Sequence, residues 1–218
     1  MGWVRFRPVS PDKLVAELAD TIVSCGPDRR LAVIIDGAPP AAPGQFADTL
    51  VDPVRVRGRP VLRVSTTDFL RPASLRYERG RIDPDARYED WLDLSGLARE
   101  VFAPVAPGGS GQVLPSLWDE RTDRASRARY VKVPANGVVL VDGSLLLGRV
   151  PRPDLAVHLL LSAGALERGT PTADRWTLPA FTRYYREIDP PALADVVIRT
   201  DDPRHPAIWV AGKRPRGR

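Results

Sequence analysis

Residues 33–50, VIIDGAPPAAPGQFADTL, place the parts of a phosphate-binding turn in order: an apolar run (Leu31 to Ile35), an Asp-Gly step, seven small or Pro residues, then a helical pattern. In such a strand–loop–helix, backbone N–H groups and a helix N-terminus surround the anion. The intact pattern reads G-x-x-x-x-G-K-[ST]. Counted from Gly37, its second glycine falls on Ala42, its lysine on Pro43 and its hydroxyl residue on Gly44. Asp36, Gly37, Ala42, Pro43, Gly44 and Gln45 thus hold the places of a phosphate loop without its ammonium or hydroxyl. Pro39, Pro40 and Pro43 each also remove a backbone donor. Losing one charge-assisted phosphate contact costs roughly 1.5–3 kcal/mol in binding. Ordinary triphosphate binding is not expected through this loop, unless an arginine from elsewhere supplies the charge.

Two carboxylates stand where they could act on a ligand. Asp68 follows the apolar run Val61–Val64 in STTDF, and Asp142 closes VVLVD. The carboxyl ends of strands in an open parallel sheet face the ligand crevice. There a carboxylate can orient an attacking hydroxyl, as at Asp68, or hold a hard cation such as Mg²⁺, as at Asp142. The plainer readings are a loop-stabilising Asp at 68 and an Asp-Gly turn at 142. Arg168, Arg175 and Arg183 could meet phosphate oxygens bidentately. However, 29 of the 32 basic side chains are arginine, so composition alone accounts for any one of them. Tyr88, Trp91, Tyr184 and Tyr185 could stack on a base, although helical aromatics more often pack in a core. His158, inside VHLLL, reads as a satisfied core residue. His205, in DDPRHP, has no Ser or Cys constellation around it, and the sequence offers no metal-ligand spacing or hydrolytic elbow.

The elements that must position these residues alternate between short apolar runs and amphipathic segments, the pattern of βα units on a mainly parallel sheet. Ser10-Pro11-Asp12 opens a helix to about Val23, and Leu31–Ile35 is a strand. A helix carrying Phe46, Ala47, Leu50 and Val54 stops at Gly58, and Val61–Val64 is a second strand. Residues 65–88 are polar and Arg-rich and read as an irregular active-site region. Asp90 to Val105 reads as a helix, 107–111 as a loop tip, and 112–133 as a short hairpin. Val138–Val141 and Leu155–Leu161 are strands; residues 162–168 and about 180–187 are helical; Asp195–Ile198 is the last strand. The predicted class is α/β, three layers with a mainly parallel sheet flanked by helices. One domain is expected over 1–210, with a basic, disordered tail at 211–218.

The ordered set VIIDG…FADTL, STTDF, YEDWLD, PGGSG…LWDERTDR, VVLVDGSLLL and RYYREIDP…ADVVI resembles the uridine kinase-like group of bacterial P-loop kinases, over about Leu14 to Pro206. The resemblance implies a P-loop NTPase-type fold with a degenerate Walker A loop. It matches Asp68 to the acid near the acceptor hydroxyl, and Asp142 to the acid that supports Mg²⁺ or its water. It puts Arg168, Arg175 and Arg183 on or near the lid, and Tyr88, Trp91 and Arg183 beside the substrate. It implies ATP or another nucleoside triphosphate with Mg²⁺ as cofactors, and a nucleoside or nucleotide as the small-molecule partner. Two readings stay open: a phosphotransferase with an atypical donor site, and an inactive relative that binds a nucleotide, a metabolite or a protein.

Bulk properties bound the remainder. A chain of 218 residues with 43% hydrophobic content and a mean hydropathy of −0.21 suits a globular protein. No apolar stretch approaches the roughly 18 residues of a membrane span, and the basic start MGWVRFRPVSPDK has no apolar run behind it, so neither membrane nor signal peptide is expected. The single cysteine, Cys25, cannot form an internal disulfide and suits a reducing cytoplasm. The net charge of +5 is spread among 27 acids, which makes a nucleic-acid partner unexpected. A homo-oligomer stays open. The Arg-over-Lys bias and 23 prolines suggest a GC-rich, actinobacterial type of host.

Overall fold

The computed structural model describes residues 6–210, so the expectation for the basic tail falls outside the described residues. The main sheet has seven strands: β1 (Arg7–Pro8), β2 (Leu31–Gly37), β3 (Val61–Ser65), β8 (Val138–Gly143), β9 (Leu155–Leu160), β10 (Val196–Arg199) and β11 (Ala207–Val210). Four more strands, β4 (Gln112–Val113), β5 (Trp118–Asp119), β6 (Arg124–Ala125) and β7 (Val131–Lys132), form two small ladders outside it. The order is β1-β11-β10-β9-β2-β8-β3, with β3, β8, β2, β9 and β10 parallel and β11 and β1 antiparallel at one edge.

Helices cover both faces, and β2 explains why, since every one of its residues is buried. Side chains alternate across a strand. Leu31, Val33 and Ile35 pack with α1 (Pro11–Ser24) and α2 (Pro43–Val56) through Leu14, Leu18, Ile22, Leu50 and Val54. Ala32 and Ile34 face the opposite core, built on Phe69, Leu97, Val101, Phe102 and Phe181. The three-layer α/β architecture is the one the sequence pattern predicts.

Several local expectations are corrected. Residues 65–88 are not irregular: a 3₁₀ turn spans Thr66–Phe69, followed by α3 (Ala73–Arg76) and α4 (Pro84–Glu89), the latter capped by Asp83 accepting from the Ala86 N–H at 2.7 Å. The next helical stretch starts at α5 (Leu94–Leu97), where Asp93 caps the Gly96 N–H at 2.8 Å. It widens to a π-helix over Ala98–Phe102 before α6 (Ala103–Val105). Residues 112–133 do hold a short hairpin, β5–β6, and it sits inside a second ladder, β4–β7, which Pro115 cannot extend for want of an N–H. After α7 (Ala163–Gly169), α8 (Leu178–Ile188), α9 (Pro190–Leu193) and β10 comes β11, a strand beyond the expected last one.

The turn from β2 to α2 is a 3₁₀ segment, Pro39–Ala41, followed by Ala42 in the left-handed region at φ 52°, ψ 53°; Pro43 then takes the first helical position. Ala42 stands where the phosphate-loop pattern has glycine, and left-handed backbone costs a non-glycine residue roughly 1–2 kcal/mol. Ala42→Gly is therefore expected to stabilise the protein by about 1 kcal/mol in urea unfolding. An unchanged or lower midpoint would contradict this.

Candidate functional site

A cavity of about 410 Å³ opens at the carboxyl ends of β3 and β8, beside the N-terminus of α2. The loop contributes Pro39 and residues 42–45, the end of β3 contributes Ser65 to Thr67, and the end of β8 contributes Asp142 to Ser144. Arg87 from α4, Trp91 just after it and Glu120 beyond β5 close the far wall.

The loop wall has few outward donors. The Ala41 N–H is turned to the Ala38 carbonyl at 2.8 Å, and the Ala42 N–H to that of Pro39 at 2.9 Å. With prolines at 39, 40 and 43, the outward donors are those of Gly44 and Gln45, which the first turn of a helix leaves free. Gly37 is needed for close packing, since a Cβ there would lie 2.9 Å from that of Leu159. The Asp36 side chain points away from the loop and is wholly buried. It accepts from the Leu146 N–H at 2.9 Å and from His158 Nδ1–H at 2.8 Å, and the Tyr184 hydroxyl lies 3.2 Å away. His158 Nε2 in turn accepts from the Tyr185 hydroxyl at 2.8 Å, so this histidine is the satisfied core residue expected. Burial, and then the Asp36 charge, push both tyrosines up, keeping them neutral donors.

The floor of the cavity is an ion pair. Arg63, in the middle of β3, brings Nε to 2.9 Å from Asp142 Oδ1 and Nη1 to 3.1 Å from Asp48 on α2. The register sets Ser65 opposite Asp142, and the Ser65 hydroxyl reaches Oδ2 at 3.3 Å. Asp142 is only 3% exposed. Burial pushes its carboxyl up, and the nearby Arg63 guanidinium counters this in part. The Nε and Oδ1 atoms are close but poorly aligned, and neither has another hydrogen-bond partner, so the charges match better than the hydrogen bonds do. The pair lies directly under Gly44: a Cβ at position 44 would stand 2.8 Å from Arg63 Nη2 and 3.2 Å from Asp142 Oδ2.

The other sequence candidates divide. Trp91 lines the cavity with Arg87 at 5.1 Å and Arg76 at 5.2 Å over its ring, and packs with Tyr77 and Trp176. Asp68 is outside the lining; its carboxylate accepts from the Ser116 hydroxyl at 3.4 Å, and burial raises it while Arg63 and Ser116 oppose. Tyr88 is 7% exposed and sandwiched by Arg149 and Arg183, away from the cavity. Arg183 is engaged by Asp85, Glu89 and Glu187 at 2.8–3.0 Å. Arg168 and Arg175 are exposed and outside the lining. Sequence reasoning missed Arg63, Arg87, Glu120 and the Ser65–Thr67 hydroxyls. Arg63 left one signal, a charge interrupting the strand VLRVS.

These residues do not fit Mg²⁺ with a triphosphate. Mg²⁺ with a triphosphate takes one or two carboxylates and a loop hydroxyl beside the phosphates, and the hydroxyl's place is Gly44 here. The carboxylate best placed for the metal, Asp142, already has a fixed cation against it.

The same architecture occurs in known structures. A protein described as a possible uridine kinase from Bacillus stearothermophilus superposes with a TM-score of 0.69 at 22% identity, covering 84% of this chain and 96% of that one. The fold is that of the uridine kinase-like P-loop proteins. A protein described as a putative fructose transport system kinase from Silicibacter sp. TM1040 gives 0.56 at 20% identity, covering 81% of this chain and 90% of that one. The YGR205w protein also gives 0.56, at 10% identity, covering 94% and 100%. No family model and no curated relative matches the sequence. Among the described residues of this kinase-like fold, no helix is long and apolar enough to cross a membrane.

The contact at Gly44 yields a stability test. Gly44→Thr, which restores the hydroxyl of the pattern, is expected to destabilise by about 1–3 kcal/mol through overpacking on Arg63. In an Arg63→Ala background the same change costs less, with a coupling of roughly 0.5–3 kcal/mol in a denaturant double-mutant cycle. Additive effects would show that the two sites do not touch.

Proposed function

We propose that this chain is a binding protein on a kinase fold, taking a small molecule into the cavity between the loop and the β3 and β8 ends without metal-dependent phosphoryl transfer. The observation that carries this is Arg63, whose guanidinium lies against both Gly44, at the place of the loop hydroxyl, and Asp142, the acid that the resemblance gives to the metal. Phosphoryl transfer is positioning and electrostatic stabilisation, with the loop lysine and Mg²⁺ as its main charges. Here the lysine place is Pro43, the hydroxyl place is Gly44, and the Walker A loop is degenerate in function as well as in letters. Two lost charge-assisted contacts, at about 1.5–3 kcal/mol each, suffice to move a micromolar triphosphate site to millimolar, a change of about 4 kcal/mol. The likeness to kinases supports a nucleoside-sized or metabolite ligand, and the open crevice supports binding as the retained role.

Calorimetric titration with ATP, GTP and nucleosides, each with and without Mg²⁺, tests this reading. The expected result is no Mg²⁺-dependent nucleotide binding tighter than millimolar, and no transfer of phosphate to uridine above background. Micromolar Mg-ATP binding accompanied by transfer to a hydroxyl compound would restore the phosphotransferase reading, with Asp68 as the group to mutate next.

Pro43→Lys and Gly44→Thr together are not expected to create triphosphate affinity while Arg63 is present, because the new side chain at 44 meets the guanidinium. Adding Arg63→Ala to the pair is expected to raise ATP affinity measurably in the same titration. A double variant that binds as well as the triple would show that Arg63 does not block the place.

A further inference from the structure

Four charged side chains line the cavity, and three of them are matched. Arg63 meets Asp142 at 2.9 Å, and Glu120 accepts from Arg76 at 3.0 Å. Arg87 is different. Among the described residues it has no carboxylate within 4.0 Å, and its guanidinium donates no hydrogen bond. It rests over the Trp91 ring, its Cζ 5.1 Å from the ring centroid. The residue is half-buried, and its guanidinium faces the cavity. Burial first, and then the charge of Arg149, push it down to about 10, so it remains a cation at neutral pH. The charges acting on it are Arg149 and Arg76, both repulsive, and Glu120, which Arg76 already holds.

A half-buried cation without a counter-ion leaves its donors to solvent in an empty cavity and offers them to an anion in an occupied one. The rest of the wall mixes apolar side chains, among them Leu70, Trp91 and Leu92, with the uncharged polar groups of Gln45, Ser65, Thr67 and Ser144. A volume of about 410 Å³ holds a molecule of sugar size. We propose that the cavity takes a small hydroxylated oxyanion, a phosphate monoester or a carboxylate of sugar size, held by the guanidinium fork of Arg87 without a metal. The proposal rests on the metal-free binding reading above, and names the ligand class for it. Arginine meets either oxyanion bidentately, which a lysine cannot. The hydroxyl-bearing wall then serves the carrier's own hydroxyl groups.

The test is calorimetry in EDTA with ribose phosphate, inorganic phosphate, gluconate and ribose as probes, on the wild type, Arg87→Gln and Arg87→Lys. Saturable binding of ribose phosphate or gluconate is expected, with none for neutral ribose. Affinity falls by at least about tenfold in Arg87→Gln and by less in Arg87→Lys, which keeps the charge and loses the fork. Binding of ribose phosphate but not gluconate assigns the phosphate ester, the converse assigns the carboxylate, and either supports the seat. If Arg87→Gln lacks a cooperative thermal transition, Arg87→Lys carries the comparison. Failure of every oxyanion to bind the wild type, or equal binding by the Arg87 variants, overturns the seat. Phosphoryl transfer from Mg-ATP, assayed alongside, decides the underlying reading separately: its absence leaves that reading standing when the oxyanions fail, and its presence overturns that reading even when they bind.

Discussion

Arg63 and Asp142 face each other at 2.9 Å on adjacent parallel strands, in the place where the chemistry of a phosphate loop would converge. The Arg63 side chain is 31% exposed and that of Asp142 only 4%, so removing Arg63 leaves a buried carboxylate without its cation. Because the pair lies under the first turn of α2, a side chain at position 44 must push the Arg63 guanidinium aside. Because Arg63 also reaches Asp48 on α2, the helix is tied to the strand by charge as well as by its apolar face. One internal cation thereby sets the loop, the helix start and the electrostatics of the crevice.

The frame that holds this pair is built from ordinary forces. β2 is buried on both faces and lies between β8 and β9, which fixes the height at which Gly37 leaves the sheet. Below the loop, Asp36 gathers His158, Tyr184 and the Leu146 N–H into a buried network joining β2, β9 and α8. Each member has a partner, and a satisfied buried network specifies one arrangement. The acid of the Asp-Gly step is thus committed to the scaffold. The groups that face the cavity come instead from the ends of β3 and β8 and from Arg87, Trp91 and Glu120.

The fold was legible because its signals are periodic. Runs such as Leu31–Ile35 and Val138–Val141, separated by helical spacing, can be satisfied only by strands covered on both sides. The loop was legible as well, from three prolines and the shifted glycine. The site was only half legible. Asp142 and Trp91 could be marked as candidates, but Arg87 is one arginine among 29, and nothing in its neighbours shows that no acid comes near it in space. The absence of a counter-ion is a three-dimensional property. Arg63 lay in view as a charge within an apolar strand, yet its partner stands 79 residues away, and only the β3–β8 register joins them. The short helices of residues 65–88 were missed because each is one or two turns long, set by local caps such as Asp83 rather than by a repeating pattern.

The claim that a fixed guanidinium stands in for the metal is tested most directly by water-proton relaxation of Mn²⁺-ATP titrated with the wild-type protein. Displacement of the metal by Arg63 predicts no relaxation enhancement beyond that of Mn²⁺-ATP alone at micromolar protein. A saturable enhancement that disappears in Asp142→Asn would place the metal on that carboxylate and contradict the account.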